Sequence, residues 1–274
     1  MKLFACMCNK PERLPAALAP VRAALVAAPP VSRWGLGYIQ GGDVLLVRTP
    51  KASTTPVDLA GPLVAADIRS DCAIAQAVRD RPDQGWSGTD NTPPFRFRRW
   101  MFAQTGSPRF TEDVTARLLE HIPEYLRRNI KGRTPSELVF HLFLAMLHDE
   151  GNIDDPNLPT HATQRALAAT LRLVTAETAR VSDAAVTGSD ALPALGNVAL
   201  SNGRSMVLAQ LGEPLRLRRL WVTGERGERD EAFRGVLLVS GGDGDPRDGF
   251  EDVPAQRAVL ISRELHVSLA ELAP

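Results

Sequence analysis

The stretch WGLGYIQGGDVLLVR, residues 34–48, places two runs of apolar and β-branched residues on either side of the pair Gly41-Gly42. Glycine adopts the dihedral angles of a tight turn without steric cost, so this stretch predicts a β-hairpin with strands at 34–40 and 44–48. The glycines lack the G-x-G-x-x-G spacing, and no helical pattern follows them. A hairpin therefore fits the stretch better than a dinucleotide-binding loop.

Further strands are predicted after the hairpin, at 72–78 and 99–103. After Phe110 the apolar period lengthens from about 2 to about 3.6 residues, which indicates helices. The first is predicted to begin at Thr111 and to carry its apolar stripe as far as Leu126, with others at 136–147 and 163–176. Strands return at 197–200, 206–210, 218–223, 234–239 and 257–262. This order suits a layered α+β domain better than a βαβ repeat.

Composition places the chain among ordinary globular proteins. Of 274 residues, 44% are hydrophobic and 23% charged, and Lys+Arg and Asp+Glu each number 32. This balance provides no general attraction to nucleic acid or to an anionic membrane. No apolar run approaches the ~20 residues of a membrane span, and the apolar start is too short for a secretory signal. We therefore expect a cytoplasmic protein with a single domain over residues 1–274; the stretch 181–192 is the candidate linker.

The three cysteines, Cys6, Cys8 and Cys72, cannot all pair within one chain, and a disulfide framework is not expected. The Cys6-x-Cys8 spacing could begin a metal site, but no second cluster of ligands lies nearby in the sequence. We therefore predict that these cysteines are buried in strands.

Two other patterns resemble metal sites and have simpler explanations. Residues 240–249 resemble a calcium loop, but Arg247 occupies a ligand position and Pro254 stands where the bidentate glutamate belongs. His141 and His148 lie seven residues apart, as expected for a packed helix with an exposed polar end. We predict no metal and no cofactor.

Eight short segments, spread from residue 3 to residue 210, occur in a recognisable order. They are LFACMCN (3–9), RWGLGY (33–38), RTPKASTTP (48–56), IAQAVR (74–79), DNTPPF (90–95), WMFAQTG (100–106), RTPSE (133–137) and NVALSNGRSMVLAQ (197–210). In this order they resemble the class II glutamine amidotransferases, of the N-terminal-nucleophile hydrolase type, and in particular a short stand-alone bacterial branch. The resemblance implies a four-layer αββα sandwich of two stacked antiparallel sheets with helices outside.

The mechanism that the resemblance implies uses a cysteine exposed as the first residue. Its thiol attacks the glutamine side-chain amide, its own amine serves as the base, and an Asn-Gly pair forms the oxyanion hole. In this sequence Lys2 directly precedes Leu3-Phe4, which leaves no residue where the cysteine should stand. Lysine is also too large at this position for the usual methionine removal, so Met1 is expected to persist and to block the amine.

Other positions that carry chemistry in the family also differ. The catalytic positions Lys2, Gln104, Thr105 and Gly106 are vestigial in this comparison, because only Gly106 matches. Ala77 and Pro93 stand where the family has histidines. Pro135 stands where the family has the aspartate that receives the substrate's α-amine. Ser32-Arg33 stands where the family has Asp-Gly. The ligand-binding positions that the resemblance retains are Arg79, implied to hold the α-carboxylate, Trp34 and Gly106. A surface ion pair explains Arg79 equally well.

Two functional hypotheses follow. The first is a catalytically inactive class II amidotransferase-like protein that acts as a binding, scaffolding or regulatory partner, with a protein partner or an amino-acid-like small ligand. The alternative is an active glutamine amidotransferase or amide hydrolase that uses Cys6 or another nucleophile. Neither hypothesis involves nucleic acid or a membrane.

Overall fold

The computed structural model describes residues 1–65, 68–80, 85–106, 108–151, 153–185, 195–224, 227–241 and 249–272. Within these ranges the chain forms fifteen strands and six α-helices. The strands are β1 (Lys2–Cys8), β2 (Val26–Ala27), β3 (Arg33–Gln40), β4 (Asp43–Thr49), β5 (Val57–Asp58), β6 (Cys72–Val78), β7 (Phe95–Phe97), β8 (Trp100–Gln104), β9 (Val198–Ser201), β10 (Met206–Ala209), β11 (Leu215–Leu220), β12 (Gly235–Ser240), β13 (Glu251–Asp252), β14 (Arg257–Ile261) and β15 (Val267–Glu271). The helices are α1 (Leu14–Leu18), α2 (Gly61–Ala65), α3 (Glu112–Glu120), α4 (Glu124–Arg127), α5 (Pro135–Asp149) and α6 (Thr160–Ala185).

The strands form two large antiparallel sheets. One has seven strands in the order β13-β11-β12-β1-β6-β3-β4, and the other has six in the order β15-β14-β10-β9-β8-β7. A short third sheet pairs β2 with β5. The predicted hairpin is β3 and β4, with Gln40 opposite Asp43. Gly41 and Gly42 connect the strands at φ of 63° and 88°, the region that glycine adopts without strain.

Three apolar cores separate four layers. The first core lies between the two sheets and includes Leu3, Ile74, Met101 and Leu208. The second packs the outer face of the six-stranded sheet against α3 to α6, and the third packs the outer face of the seven-stranded sheet against α1, α2 and the 3₁₀ segment Ala19–Leu25. The structure thus has the α+β class and the four-layer αββα arrangement that the sequence predicts.

Strand β1 is buried on both faces. Leu3 and Met7 enter the core between the sheets, whereas Phe4, Cys6 and Cys8 enter the outer core. Cys72 begins the neighbouring strand β6, and all three cysteines are buried and free. The prediction of buried strand cysteines is confirmed.

Several boundaries differ from the predictions. The helix that begins after Thr111 ends at Glu120, because Pro123 has no N–H to continue its hydrogen bonds, and α4 then begins separately. The strand predicted at 218–223 lies three residues earlier, at Leu215–Leu220. The predicted linker at 181–192 is wrong as far as residue 185, because α6 continues to Ala185. Its remainder, and residues 242–248 of the calcium-like pattern, lie outside the described residues.

Glycines on the inner face of β3 allow a loop to lie flat against the sheet. A Cβ added to Gly35 would stand 2.3 Å from the carbonyl oxygen of Pro93 and 3.0 Å from that of Val47. Both atoms belong to the backbone and cannot swing away. At Gly37 an added Cβ would lie 2.9 Å from the sulfur of Met101 in the opposite sheet.

We predict that Gly35→Ala lowers the free energy of unfolding by about 3 kcal/mol, because the new methyl group overlaps two backbone oxygens. The matched control is Gly85→Ala, where no atom lies within 4 Å of an added Cβ. We expect that control to change stability by less than about 1 kcal/mol. Urea unfolding of both variants measures the difference, and equal midpoints would contradict the close approach.

Candidate functional site

A small cavity opens between the two sheets beside Gly106. Its volume is about 20 Å³, and its walls include Gln104, Asn91, Pro93 and Thr134. Arg33 and Gln76 line it as well, so the structure brings together residues from five of the family-like segments: 33–38, 74–79, 90–95, 100–106 and 133–137. A cavity of this size holds about one water molecule.

The side chain of Gln76 closes one wall of this cavity and joins the two sheets. Its Nε2 donates to the carbonyl oxygen of Gln104 at 2.5 Å, and its Oε1 accepts from the backbone N–H of Gln104 at 3.2 Å. Gln76 lies on β6 and Gln104 ends β8, so the two bonds connect opposite sheets. The side-chain amide of Gln104 is also buried, and neither of its polar atoms has a partner among the described residues.

The Thr105-Gly106 segment is held by the chain that enters β9. The N–H of Thr105 donates to the carbonyl oxygen of Asn197 at 2.9 Å. A Cβ added to Gly196 would lie 2.1 Å from the nitrogen of Gly106, so the two backbones are in direct contact. The side chain of Asn197 fixes the adjoining loop by accepting from the N–H of Gly212 and donating to Ser240 Oγ. The Thr105 N–H is thus already occupied inside the protein.

Arg33 fills the space next to Gln76. Its side chain is 4% exposed and forms an ion pair with Asp80. Its Nε donates to the carbonyl oxygen of Asn91 at 2.8 Å, and its Nη1 donates to that of Trp86 at 3.1 Å. A guanidinium therefore occupies the interior at a position where the family-like pattern has a glycine.

Arg79 and Lys2 lie at a larger cavity of about 340 Å³, which Glu213 also lines and which shares Met1 and Val78 with the small cavity. Arg79 donates to the carbonyl oxygens of Pro29 and Pro30, both at 3.1 Å. Lys2, at the start of β1, is 4% exposed. The structure does not bring Arg79 or Lys2 to the cavity of Gly106.

The alternation of side chains along β6 explains this separation. Ile74 enters the core between the sheets and Gln76 reaches the small cavity, whereas Ala77 packs in the outer core and Arg79 continues on that side. IAQAVR has one residue more than the family's Ile-Ala-His-Val-Arg, and one residue reverses the face of a strand. Gln76 is therefore the site residue that the sequence comparison missed, and period-two counting from Ile74 is the signal that identifies it.

Trp34 also lies on the outer face. It packs against the core that contains Leu36, on the side of the sheet opposite to Gly106. On β3, Arg33 is the residue that reaches the small cavity, since neighbouring residues of a strand face opposite ways.

Burial suppresses the reactivity of the cysteines. It raises the pKa of Cys6 well above its ordinary value, and the charges of Cys8 and Cys72 act in the same direction. Burial likewise raises the pKa of Cys8 and that of Cys72 to about 12. The thiolate is the nucleophilic form of cysteine, so these side chains are not prepared for attack at neutral pH.

The histidines singled out from the sequence lie on α5. His141 is buried, its Nδ1 is 2.9 Å from the carbonyl oxygen of Glu137, and burial lowers its pKa. His148 packs edge-on against the ring of Tyr125. In the described part of the chain, no three His, Cys, Asp or Glu side chains are grouped to hold a metal ion. Among the described helices, none has both the length and the apolarity to cross a membrane.

Comparison with solved structures identifies proteins of the same fold. One is described as a glutamine aminotransferase class-II domain protein from Silicibacter pomeroyi, with a TM-score of 0.57, 18% identity and coverage of 100% of both chains. Another is described as a predicted glutamine amidotransferase from Pseudomonas aeruginosa, with a TM-score of 0.57, 15% identity and coverage of 97% of this chain and 99% of the other. No protein-family model and no curated protein matches the sequence. At these identities the likeness establishes the fold over the full chain.

We predict that Gln76→Leu lowers the free energy of unfolding by about 2–4 kcal/mol, because it leaves the buried N–H and C=O of Gln104 without their partners. The control is Gln40→Leu, the same change at an exposed position of β3, with an expected effect below about 0.5 kcal/mol. Denaturant unfolding compares the two variants. Equal stabilities would show that the bond between the sheets is unimportant.

We also predict that none of the three thiols reacts rapidly with a disulfide reagent at pH 8 in the native protein, because their raised pKa values keep them protonated. In denaturant all three should react. Fast native labelling that is lost in Cys6→Ala would contradict this account and would support a nucleophilic Cys6.

Proposed function

We propose that this protein is a class II glutamine amidotransferase-like protein without glutaminase activity, whose role is to bind a partner or a ligand. The observation that carries the proposal is the small cavity beside Gly106. At about 20 Å³ it holds a water molecule and not an amino acid. The chain keeps the fold on which the family that it resembles performs amide hydrolysis. Its own side chains occupy the space beside Gly106 that a substrate would need.

The first supporting argument concerns the nucleophile. Met1 lines the small cavity from the end of β1, and its thioether has no proton to lose and does not add to an amide carbon. Cys6 lies five residues after Met1, on β1, and faces the outer core. Among the residues that line the described cavity, none is a cysteine.

The second argument concerns stabilisation of an oxyanion. Such stabilisation requires N–H groups that are free to donate to the developing charge. The Thr105 N–H donates to Asn197, and Gly106 packs directly on Gly196. The wall retains an unpaired donor in the Gln104 side chain, yet the remaining space is too small for a glutamine amide beside it.

The third argument concerns the substrate's charged ends. Arg79 stands on the other face of the sheet, and Pro135 has no carboxylate to receive an α-amine. Arg33 adds a buried positive charge that Asp80 already neutralises. Together these features support a site that lacks the groups for binding and converting a glutamine substrate.

A ligand role is favoured at the larger cavity. There the cationic side chains of Lys2 and Arg79 and the carboxylate of Glu213 line about 340 Å³, within the volume range of small-molecule sites. Opposite charges across one cavity complement the carboxylate and the ammonium group of a free amino acid. We therefore propose this cavity as the place for the amino-acid-like ligand that the sequence suggests.

The direct test of the non-catalytic role is ammonia release from glutamine, with an active class II amidotransferase as positive control. We predict a rate equal to that of buffer alone. We also predict no activity after insertion of a cysteine following Met1, because one missing oxyanion donor alone costs ~10²–10³ in rate. The same insertion combined with Arg33→Gly, Thr105→Asn and Pro135→Asp tests the filled site. Turnover by the natural protein that Cys6→Ala abolishes would support the alternative enzyme.

The ligand proposal is tested by calorimetric titration with L-glutamate and with glutarate, which lacks the α-amine. We predict that Arg79→Gln weakens binding of both by about tenfold or more, whereas Glu213→Gln weakens binding of glutamate alone. Arg128→Gln, at an exposed residue directly after α4, is the charge-matched control for Arg79→Gln. Absence of saturable binding, or equal affinity in all variants, would contradict the ligand site while leaving the non-catalytic proposal to its own test.

A further inference from the structure

A third cavity lies at the other end of the sandwich. It has a volume of about 330 Å³ and is lined by the turn Gly41-Gly42, by Met7 and by Asp71. The small cavity lies at one end of strands β1 and β6, beside Met1 and Val78. The third cavity lies at the opposite end of the same two strands, beside Met7 and Asp71. Seven residues of β-strand span about 23 Å, so the two cavities are well separated.

Four arginines from four distant segments surround this cavity, which we call the arginine cleft: Arg69, Arg99, Arg204 and Arg263. Asp71 is the one carboxylate among the described lining residues. The chain as a whole has equal numbers of acidic and basic residues, so this concentration of positive charge is local. Arg99 is half-buried and forms no ion pair with any residue that the structure describes.

A buried hydrogen-bond donor in the wall provides independent evidence for a ligand. Asn202 is 2% exposed and lines the cleft. Its Oδ1 accepts from the backbone N–H of Arg204 at 3.0 Å and from that of Ser205 at 2.9 Å. Both partners are donors, which fixes the orientation of the amide. The Nδ2 of Asn202 consequently faces away from them, and it has no partner within the described part of the chain.

We propose that the arginine cleft binds a small phosphorylated molecule. Guanidinium groups match the oxygens of phosphate with two parallel N–H donors, and several of them around one cavity suit a group with two negative charges. Asn202 lines the same cleft, and its Nδ2 has no hydrogen-bond partner among the described residues. Met7 and Ile39 provide apolar surface for the remainder of the ligand, and the volume lies in the usual range for small-molecule sites.

This proposal is independent of the amidotransferase-like site. None of the four arginines, nor Asn202, lines the small cavity or the cavity of Arg79. An active enzyme and an inactive binding protein would both retain the cleft.

The experiment is calorimetric titration of the full chain with pyrophosphate and with inorganic phosphate at constant ionic strength. We expect one saturable site for pyrophosphate. The double variant Arg99→Gln/Arg204→Gln should bind at least about 100-fold more weakly, since charge-assisted hydrogen bonds are lost. The control Arg128→Gln/Arg165→Gln removes two exposed arginines from the helical layer and should bind as the natural protein does.

A second variant tests the orphan donor without removing any arginine. Asn202→Asp keeps an acceptor for the N–H groups of Arg204 and Ser205 and replaces the Nδ2 donor with an oxygen. We expect at least a tenfold loss of pyrophosphate affinity, with an unchanged thermal midpoint in the absence of ligand. No saturable binding, natural affinity in both cleft variants, or equal weakening by the helical control would overturn the proposal.

Discussion

Two hydrogen bonds between the side chain of Gln76 and the backbone of Gln104 tie the two sheets together where the sandwich would otherwise open. They satisfy backbone groups at the end of β8 that are buried and could not reach water. With these groups paired inside the protein, Arg33 can pack beside them and extend its guanidinium to Asp80. The small size of the cavity beside Gly106 follows from this packing.

The proposed absence of catalysis concerns this interior alone, because the three apolar cores hold the fold. The three apolar cores contain few of the residues that differ from the family-like pattern, because those residues lie at strand ends and in loops. Charged side chains line two other cavities of the sandwich, the cavity of Arg79 at one end and the arginine cleft at the other. The proposed ligand-binding role without catalysis is therefore compatible with this structure.

Local sequence signals predicted most of the fold. Gly41 and Gly42 identify a turn because their positive φ angles are a property of the residues themselves, and the N-cap at Thr111 is local in the same way. The period of the apolar residues located α5 closely and the first part of α6, but it did not show that α6 continues to Ala185 or that Pro123 divides the preceding helical pattern. Strand β1 was recognised only through its cysteines, because a strand buried on both faces has no polar alternation to reveal it.

The candidate sites could be predicted less well from the sequence, because they depend on which face of a strand each side chain occupies. Arg79 lies on the outer face and Gln76 faces Gln104, an arrangement that motif matching does not register. The arginine cleft joins segments around residues 69, 99, 204 and 263, and their proximity exists only after both sheets have formed. The order of strands and helices can thus be predicted from local sequence, whereas the face that each side chain occupies depends on strand register.

The central claim is that the cavity beside Gly106 is too small for a glutamine substrate and has no cysteine nucleophile. It is tested most directly by incubating the native protein with a diazoketone analogue of glutamine, which alkylates the nucleophile of an active site, followed by intact-mass measurement and peptide mapping. The account predicts the unmodified mass at every time point, under conditions in which an active class II amidotransferase is fully labelled. A stoichiometric adduct on a residue that lines the cavity of Gly106, or on Cys6, would contradict it.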